Sequence, residues 1–400
     1  MTTTATERPR LTVLRAARLF DGTTEKLTAN PTVLIESGRI VAVGTEIATP
    51  DGATVRDLGD TTLLPGLVDT HVHLAFDSSD DPVGRLAGRD DAAAFVAMAT
   101  AARNAVRGGV TTVRDLGDRG YLSLGLRDAG AYDRTLPTIV AAGPPITTPG
   151  GHCHSLGGQA SGVEGVRAAV RAHAESGVDV IKIMASGGNL TPGSLPELPQ
   201  FGPAELRAAV EEAHRLGLPV TAHAHGTQAI IDAVEAGVDG MEHVSFFTAD
   251  GVDPAPDDLL RIIAERGIAI GLTLGFVPIP GAVPPPPIAK RLPGLMANAG
   301  RLYASGATVV AGTDAGIGPV KPPDVLRWGV GHLVQIGMSP FEALSASTAR
   351  AATVCGLGDR KGRLAAGYDA DILAVDGNPL VDPAALHQLR AVYVRGESMV

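Results

Sequence analysis

The sequence predicts a (β/α)8 TIM barrel with a small composite β-sandwich domain formed by the N- and C-terminal segments. The first supporting observation is a recurring pattern of amphipathic helix, Gly-containing joint and short apolar strand, at 105–113, 175–183, 235–241, 265–270 and 304–310. Gly just past a helix is the expected C-cap, and short, continuously apolar strands suit a parallel sheet buried on both faces. Strands that alternate with helices indicate a barrel or a doubly wound sheet.

The second observation is the number of these strands. They are expected near residues 66–74, 110–115, 138–142, 179–184, 219–224, 239–244, 268–274 and 308–313. No Gly-x-Gly-x-x-Gly turn follows an early strand, which disfavours a dinucleotide-binding sheet. Eight strands favour a closed barrel.

The third observation is that both ends of the chain differ from its middle. Residues 11–60 and 369–395 alternate in short β-like pieces. Two β-rich ends that flank a barrel can pair with each other, which covers the strand edges that each would otherwise expose. We therefore expect residues 1–62 and 360–400 to form the composite β domain, and residues 63–359 to form the barrel.

The composition narrows the class of protein. A chain of 400 residues with 44% hydrophobic and 19% charged residues is globular, and its net charge of -10 argues against a nucleic-acid partner. The N-terminus lacks a signal-peptide core, no apolar run is long enough to span a membrane, and Cys153 and Cys355 make no disulfide framework. We expect a cytoplasmic protein that acts on a small molecule, without membrane or nucleic-acid partners.

The first expected barrel strand ends in two histidines, His71 and His73, with one residue between them. Because side chains alternate along a strand, both rings would lie on the same face. Two neutral imidazoles that converge on one point make half of a metal site. Spacing alone leaves a second interpretation open, in which the pair is simply two polar residues that end a strand.

Other expected strands also end in side chains that can bind metals. In a barrel, the chemistry lies where strands end and the following loops begin. The candidates at such ends are Lys182, His223, His225, His243 and Asp314. Any one of them could be incidental, since a buried histidine is often a hydrogen-bonded core residue and an Asp often belongs to a turn. Their common position favours one shared site.

Lys182 is unusual because Lys is almost never fully buried without a partner. One interpretation is that its long stem lets the ammonium reach the barrel end. The alternative is an amine with a depressed pKa, because desolvation and nearby cations both favour the neutral form. A neutral amine can add carbon dioxide and become a carbamate, which could bridge two cations.

As a set, these residues resemble the amidohydrolase superfamily over essentially the whole chain. The segments that carry the resemblance are Pro-Gly-Leu-Val-Asp-Thr-His71-Val-His73, the strand with Lys182, Thr221-Ala-His223-Ala-His225-Gly, Glu242-His243, Gly312-Thr-Asp314-Ala-Gly and Gly362-Arg-Leu-Ala-Ala-Gly-Tyr-Asp-Ala-Asp371-Ile. The similarity is to the binuclear, carboxylated-lysine branch, which includes Xaa-Pro dipeptidases, related carboxypeptidases and ochratoxin-type amidases.

The resemblance implies a site for two divalent metal ions. Its ligands would be His71, His73 and Asp314 for the more buried ion, His223 and His243 for the second, and carboxylated Lys182 as the bridge between them. Zinc is the metal expected from the nitrogen and oxygen ligands, although manganese or cobalt could substitute. The carboxyl group on Lys182 would come from carbon dioxide.

The resemblance also implies a metal-dependent hydrolase that cleaves a C–N amide or peptide bond of a small peptide-like or N-acyl amino acid substrate. A hydroxide that bridges the two metals would attack, because the cations depress the pKa of water. Asp314 would take the proton of that water and pass it to the leaving nitrogen.

Three further residues are candidate substrate contacts. His225 lies beyond His223 on the same strand face. His152 follows Gly-Gly in a loop after the third barrel strand, and it could contact the substrate or be a structural loop histidine. Arg114 could hold a substrate carboxylate in a bidentate pair, or it could pair with a neighbouring acid and organise the rim. The Pro-rich loop 275–287 could cap the pocket as a lid, or be a rigid surface loop.

Alternative functions remain open at this point. A mononuclear deaminase or cyclic-amide hydrolase resembling imidazolonepropionase is disfavoured by Lys182, because a single metal needs no bridge. A lactonase is possible because the same site can attack esters. A non-catalytic scaffold would be expected to have lost ligands, and this chain retains every position. A homo-oligomer is expected only by family analogy.

Overall fold

The N-terminal segment consists of short strands joined by tight turns. The computed structural model describes residues 11–281 and 286–399. The first strands are β1 (Leu11–Arg15), β2 (Arg18–Leu19), β3 (Thr28–Ala29), β4 (Thr32–Glu36), β5 (Arg39–Gly44), β6 (Thr54–Asp57) and β7 (Thr61–Pro65). The alternating pattern of the sequence therefore predicted strands in the correct region.

The middle of the chain forms the predicted barrel. Its strands are β8 (Leu67–Val72), β9 (Val110–Asp115), β10 (Thr138–Ala141), β11 (Ile181–Met184), β12 (Val220–Gly226), β13 (Gly240–Phe247), β14 (Ala269–Thr273) and β15 (Thr308–Gly312). Neighbouring strands pair in parallel, from β8 to β10 and from β11 to β15. A parallel bridge between Ile146 and Ile183 joins these two sets. The barrel closes where the amides of Thr313 and Asp314 donate to the His71 carbonyl at 3.3 and 2.7 Å.

Helices pack around the barrel and bury their apolar faces against it. They are α1 (Pro82–Ala87), α2 (Asp91–Arg107), α3 (Leu122–Ala129), α4 (Gly162–Ser176), α5 (Pro203–Arg215), α6 (Thr227–Ala236), α7 (Asp257–Glu265), α8 (Pro286–Ala304), α9 (Leu326–Gln335), α10 (Pro340–Ala346) and α11 (Ala349–Val354). Gly177 ends α4 and Gly237 ends α6, with φ of +84° and +85°, in the left-handed conformation that Gly adopts most easily. The recurring Gly joint of the sequence therefore marks helix ends.

The C-terminal segment returns to the N-terminal strands. Its strands are β16 (Ile372–Asp376), β17 (Leu389–Val394) and β18 (Glu397–Ser398). Among the described residues, one sheet has the order β5-β4-β1-β6, and the other has the order β18-β17-β16-β7-β2-β3. Buried side chains between the two sheets include Leu14, Val33, Ile35, Ile40, Leu63, Ile372, Ala374 and Tyr393. Both ends of the chain thus build the predicted composite sandwich.

The barrel and the sandwich meet between β7 and β8. β7 pairs with β16 as far as Pro65, and Leu67 already belongs to the barrel. The chain therefore passes from a sandwich strand to a barrel strand between Pro65 and Leu67, and the limit at residue 62 stays a prediction. At the other junction, the chain leaves α11 at Val354 and enters β16 at Ile372. The limit at residue 360 stays a prediction.

The Pro-rich loop 275–287 runs into a helix at its C-terminal end. α8 begins at Pro286, so the second half of the four-proline run lies in the first turn of a helix, where a missing amide hydrogen is tolerated. Residues 282–285 of this loop lie outside the described residues, so its role as a lid stays a prediction.

In the part of the chain that the structure describes, no helix is both long and apolar enough to cross a membrane.

Candidate metal centre

The predicted ligands meet at the rim formed by the carboxyl ends of the barrel strands. His71 and Lys182 are each 1% exposed, His223 is 4% and Asp314 is 8% exposed. Burying so many polar groups without function would be costly, because buried polar atoms need compensating partners. Together they line one cavity of about 360 Å³.

The first group of donor atoms consists of His71, His73 and Asp314. The Nε2 atoms of His71 and His73 lie 3.3 Å apart. Asp314 Oδ1 lies 3.4 Å from His71 Nε2 and 3.2 Å from His73 Nε2. Two imidazoles and one carboxylate that converge in this way match the ligand types that zinc prefers.

Hydrogen bonds behind this group orient both rings. His71 Nδ1 donates to Glu242 Oε2 at 3.0 Å, and His73 Nδ1 donates to the Gly117 carbonyl at 3.1 Å. These acceptors fix the tautomers, so that the Nε2 lone pairs point away from them. Metal-binding histidines in proteins are oriented by the same kind of partner.

The second group consists of His223, His225 and His243, whose donor atoms lie within 4.8 Å of one another. His223 Nε2 donates to the Gly187 carbonyl at 2.9 Å, which leaves Nδ1 free. His243 Nδ1 pairs with Thr273 Oγ1 at 2.9 Å, which leaves Nε2 free. His225 lies as close to His243 as His223 does, although the sequence prediction made it a substrate contact.

Lys182 Nζ is buried and has no hydrogen-bond partner among the described residues. Burial lowers the pKa of this ammonium to about 8, against the opposing charges of Glu242 and Asp314. An unpartnered amine of this kind fits a carbamate, because carboxylation would remove the buried ammonium charge that lacks a counter-ion and would offer two oxygen atoms as metal ligands. The residues present therefore fit the group that the sequence predicted.

The histidine rings are poised to bind metal because most of them are neutral at pH 7. Burial lowers the pKa of His71 to about 4 and that of His225 to about 3, and it lowers the pKa of His223 and His243 well below the usual range. At His73, burial also opposes the charge, but the Asp314 carboxylate outweighs it and raises the pKa. Neutral imidazole is the form that coordinates a metal.

Asp314 is held in its ionised form. Burial alone would raise the pKa of this carboxyl, but the neighbouring His71, His73 and Lys321 outweigh it and hold the pKa well below the usual range. The Lys321 ammonium also donates to the Thr313 and Thr273 carbonyls at 2.6 and 2.7 Å. Lys321 therefore links Thr313, which precedes Asp314, to Thr273, whose hydroxyl contacts His243.

The backbone takes an uncommon conformation at two predicted ligands. His243 has φ of +73° and Asp314 has φ of +63°, in the left-handed region that non-Gly residues rarely adopt. Because His243 departs from extended geometry, it and the preceding Glu242 can both direct their side chains into the barrel. Such conformations persist where the surrounding structure enforces them, often at functional sites.

Arg114 lies beneath the centre and does not line its cavity. Its Nε donates to the Thr70 carbonyl at 2.7 Å, and its Nη2 donates to Glu242 Oε1 at 2.9 Å. These contacts favour the structural alternative for Arg114, and its role as a substrate contact stays a prediction. Its effect on the site passes through Glu242, which also pairs with His71.

The remaining substrate candidates do line the cavity. His152 is 4% exposed and its Nδ1 has no partner among the described residues, and His225 Nδ1 pairs with Ser245 Oγ at 2.9 Å. Both rings lie beside His223, with centroids 4.8 and 4.5 Å from it. They are thus positioned to contact a molecule bound over the second group.

Sequence reasoning missed the residues that orient the ligands. Glu242 carried a signal, since an acid before a predicted ligand in an apolar strand needs a buried partner. Thr273 and Lys321 carried none, because their role depends on strands that meet only in the folded barrel.

Comparisons with known proteins agree with this architecture. The sequence pattern of the amidohydrolase family matches residues 62–399. Ochratoxinase from Aspergillus niger is 31% identical over 431 residues, which cover 97% of this chain and 86% of the relative. Its crystal structure superposes with a TM-score of 0.81 at 26% identity, covering 98% of this chain and 96% of that chain.

A second similar structure is that of a Xaa-Pro dipeptidase with bound methionine in its active site. It superposes with a TM-score of 0.83 at 28% identity, covering 97% of this chain and 99% of the other. The family match spans most of the chain, and members of this family are generally metal-dependent. The chain therefore belongs to the amidohydrolase family and is a hydrolase.

Proposed function

We propose that this hydrolase uses two divalent metal ions to cleave a C–N amide or peptide bond of a small peptide-like or N-acyl amino acid substrate. The observation that carries the proposal is the unpartnered, buried Lys182 amine, which shares one cavity with two groups of metal-competent side chains. A bridging carbamate would give this amine a role that a single-metal site does not require.

The ligand assignment follows the donor atoms that the hydrogen bonds leave free. The proposed ligands are His71 Nε2, His73 Nε2 and Asp314 for one ion, His223 Nδ1 and His243 Nε2 for the other, and carboxylated Lys182 between them. Zinc suits this mixture of nitrogen and oxygen donors. His225 is kept as a substrate contact, because two histidines and the bridge already supply the second ion with three protein ligands.

The residues around the two ions would have separate roles in proton transfer and substrate binding. When bound, the two ions supply a nucleophilic hydroxide at neutral pH and a Lewis acid for the scissile carbonyl. Asp314, ionised and adjacent to both first-group histidines, accepts a proton at its carboxylate and returns it to the leaving nitrogen. His225 and His152 hold the substrate over the second group.

Two alternatives use the same residues. A lactonase would need only an ester in place of the amide. A mononuclear deaminase or cyclic-amide hydrolase would use the first group alone, and it would leave Lys182 as a buried amine without a purpose. The similarity to a Xaa-Pro dipeptidase supports the peptide-like substrate.

A hydrolysis screen on purified, metal-replete protein tests the proposal. The substrates are Xaa-Pro dipeptides, N-acyl amino acids, aryl amides, lactones and amino-heterocycles, with amine and ammonia release measured separately. We expect turnover of at least one amide or peptide class. Ammonia release from heterocycles without amide hydrolysis would contradict the proposal and favour a deaminase.

A further inference from the structure

One face of α8 forms an apolar wall above the candidate metal centre. The side chains from this face that line the cavity are Ile288, Leu292, Leu295, Met296 and Ala299. Their spacing of three and four residues is that of a single helical face. The cavity thus combines a polar floor of histidines with a side wall that offers only hydrocarbon and thioether contacts.

The apolar lining continues to the cavity mouth. Leu274 and Phe276, which follow β14, also line the cavity, as does Phe247 at the end of β13. Phe276 is 39% exposed and Ile288 is 38% exposed, so the lining reaches solvent. Exposed apolar side chains that continue a cavity mark binding surfaces more often than isolated ones do.

The face of α8 that lines the cavity carries no cation. Its lining side chains, Ile288, Leu292, Leu295, Met296 and Ala299, are all uncharged. Two cations lie nearby, and both bind backbone carbonyls. Lys321 donates to the carbonyls of Thr273 and Thr313. The Arg291 guanidinium lies 4.5 Å above the Phe247 ring and donates to the carbonyls of Thr248 and Ala249. Among the described residues, α8 therefore offers no charged partner to a group that lies along it.

We propose that the substrate carries a sizeable, uncharged apolar group, an alkyl chain or an aromatic ring, which lies along α8 from the scissile bond to the cavity mouth. This inference rests on the proposed function, because it places the scissile bond at the candidate metal centre. Leu292 and Met296 would be the main determinants of this specificity, since they lie midway along the wall. Water released from the apolar surfaces would provide the binding free energy.

A series of probes tests the apolar wall without requiring turnover. Straight-chain hydroxamic acids of two, six and ten carbons bind metals through the same head group and differ only in the chain. Calorimetric titration of the metal-replete protein should show an affinity that rises about threefold to fourfold for each methylene until the cavity is filled. An affinity that changes less than threefold between two and ten carbons would overturn the inference.

A charge placed in the wall gives the second test. Leu292→Arg should weaken the ten-carbon hydroxamate at least tenfold, and it should tighten binding of a six-carbon hydroxamate that ends in a carboxylate. Ala297→Arg is the matched control, because Ala297 is exposed on the same helix and does not line the cavity. Equal effects of the two substitutions on both probes would overturn the inference.

Two controls show whether a change in hydroxamate affinity comes from misfolding or from an error in the proposed function. Thermal unfolding checks each variant, and Leu292→Ala replaces Leu292→Arg if the latter does not fold, with a smaller loss for the ten-carbon probe and none for the two-carbon probe. The proposed function fails if no amide is hydrolysed in the substrate screen. The inference fails independently if hydroxamate affinity does not depend on chain length.

Discussion

Two lysines are almost completely buried in this protein, and their surroundings are opposite. Lys361, 2% exposed, lies near the junction of the barrel and the sandwich, where its Nζ contacts Asp371 Oδ2 at 2.6 Å and Asp369 Oδ2 at 2.9 Å. Lys182, 1% exposed, lies at the candidate metal centre, and its Nζ has no hydrogen-bond partner among the described residues.

The number of partners of a buried lysine indicates whether its role is structural or chemical. A buried amine with two carboxylates is compensated, and removing it would leave acids without a partner. A buried amine without a partner lowers stability unless another group completes it. Lys361 is therefore expected to act in folding, whereas Lys182 is expected to act in catalysis through its carboxylated form.

The largest expected effect comes from Lys182→Ala. Loss of the bridge should reduce kcat at least 10³-fold, on the order of a lost nucleophile-activating group. The unfolding free energy should stay constant or rise, because an unsatisfied buried amine is removed. Steady-state kinetics and chemical denaturation measure the two quantities on the same preparation.

Addition of a short carboxylic acid, such as propionic acid, is the control for the bridge. It should partly restore the activity of Lys182→Ala by replacing the missing carboxylate. Activity close to that of the parent protein before any acid is added would contradict the role of Lys182.

The next largest effect is expected at the other lysine. Lys361→Met should lower the unfolding free energy by about 3–5 kcal/mol, because Asp371 and Asp369 would lose their buried partner. Activity per folded molecule should change little. Urea denaturation followed by circular dichroism provides the measurement, and Lys290→Met, at an exposed position, is the control. A loss no greater than that of the control would show that the two lysines do not differ as described.

A smaller effect is expected from Glu242→Gln. Glu242 accepts hydrogen bonds from His71, Arg114 and Thr221, so its carboxylate orients the first ligand and balances Arg114. Residues that orient a metal ligand typically contribute 10–100-fold to metal affinity. Metal titration against a chelator should show a loss of about this size. Unchanged affinity with lower stability would make Glu242 purely structural.

The smallest effect is expected from Thr273→Val, which keeps the shape of the side chain and removes the hydroxyl next to His243 Nδ1. One neutral hydrogen bond contributes about 1 kcal/mol, so affinity for the second ion should fall about fivefold. Titration should show the first ion unaffected. An equal loss at both ions would contradict the assignment of His243 to the second group.

The fold could be predicted from the sequence because the relevant signals are local. The joints at Gly177 and Gly237 mark helix ends by backbone preference alone, and the apolar strands between them have the length and composition of a buried parallel sheet. The positions of His71, His73, His223 and Asp314 at strand ends follow from the same local pattern.

The interior of the site could not be predicted in the same way. Strand alternation places Glu242 and His243 on opposite faces, but the positive φ of His243 breaks this rule. The sequence allowed Arg114 to pair either with a substrate carboxylate or with a neighbouring acid. Only the closed barrel brings its Nη2 within 2.9 Å of Glu242 Oε1. Such contacts join residues far apart in the chain, so no local signal identifies them.

Metal content, determined together with the chemical state of Lys182, tests the proposed centre most directly. Purified protein saturated with zinc and freed of excess metal should contain two ions per chain by elemental analysis. A high-resolution map should show a carboxyl group on Lys182 Nζ. One ion per chain with an unmodified Lys182 would contradict the binuclear centre.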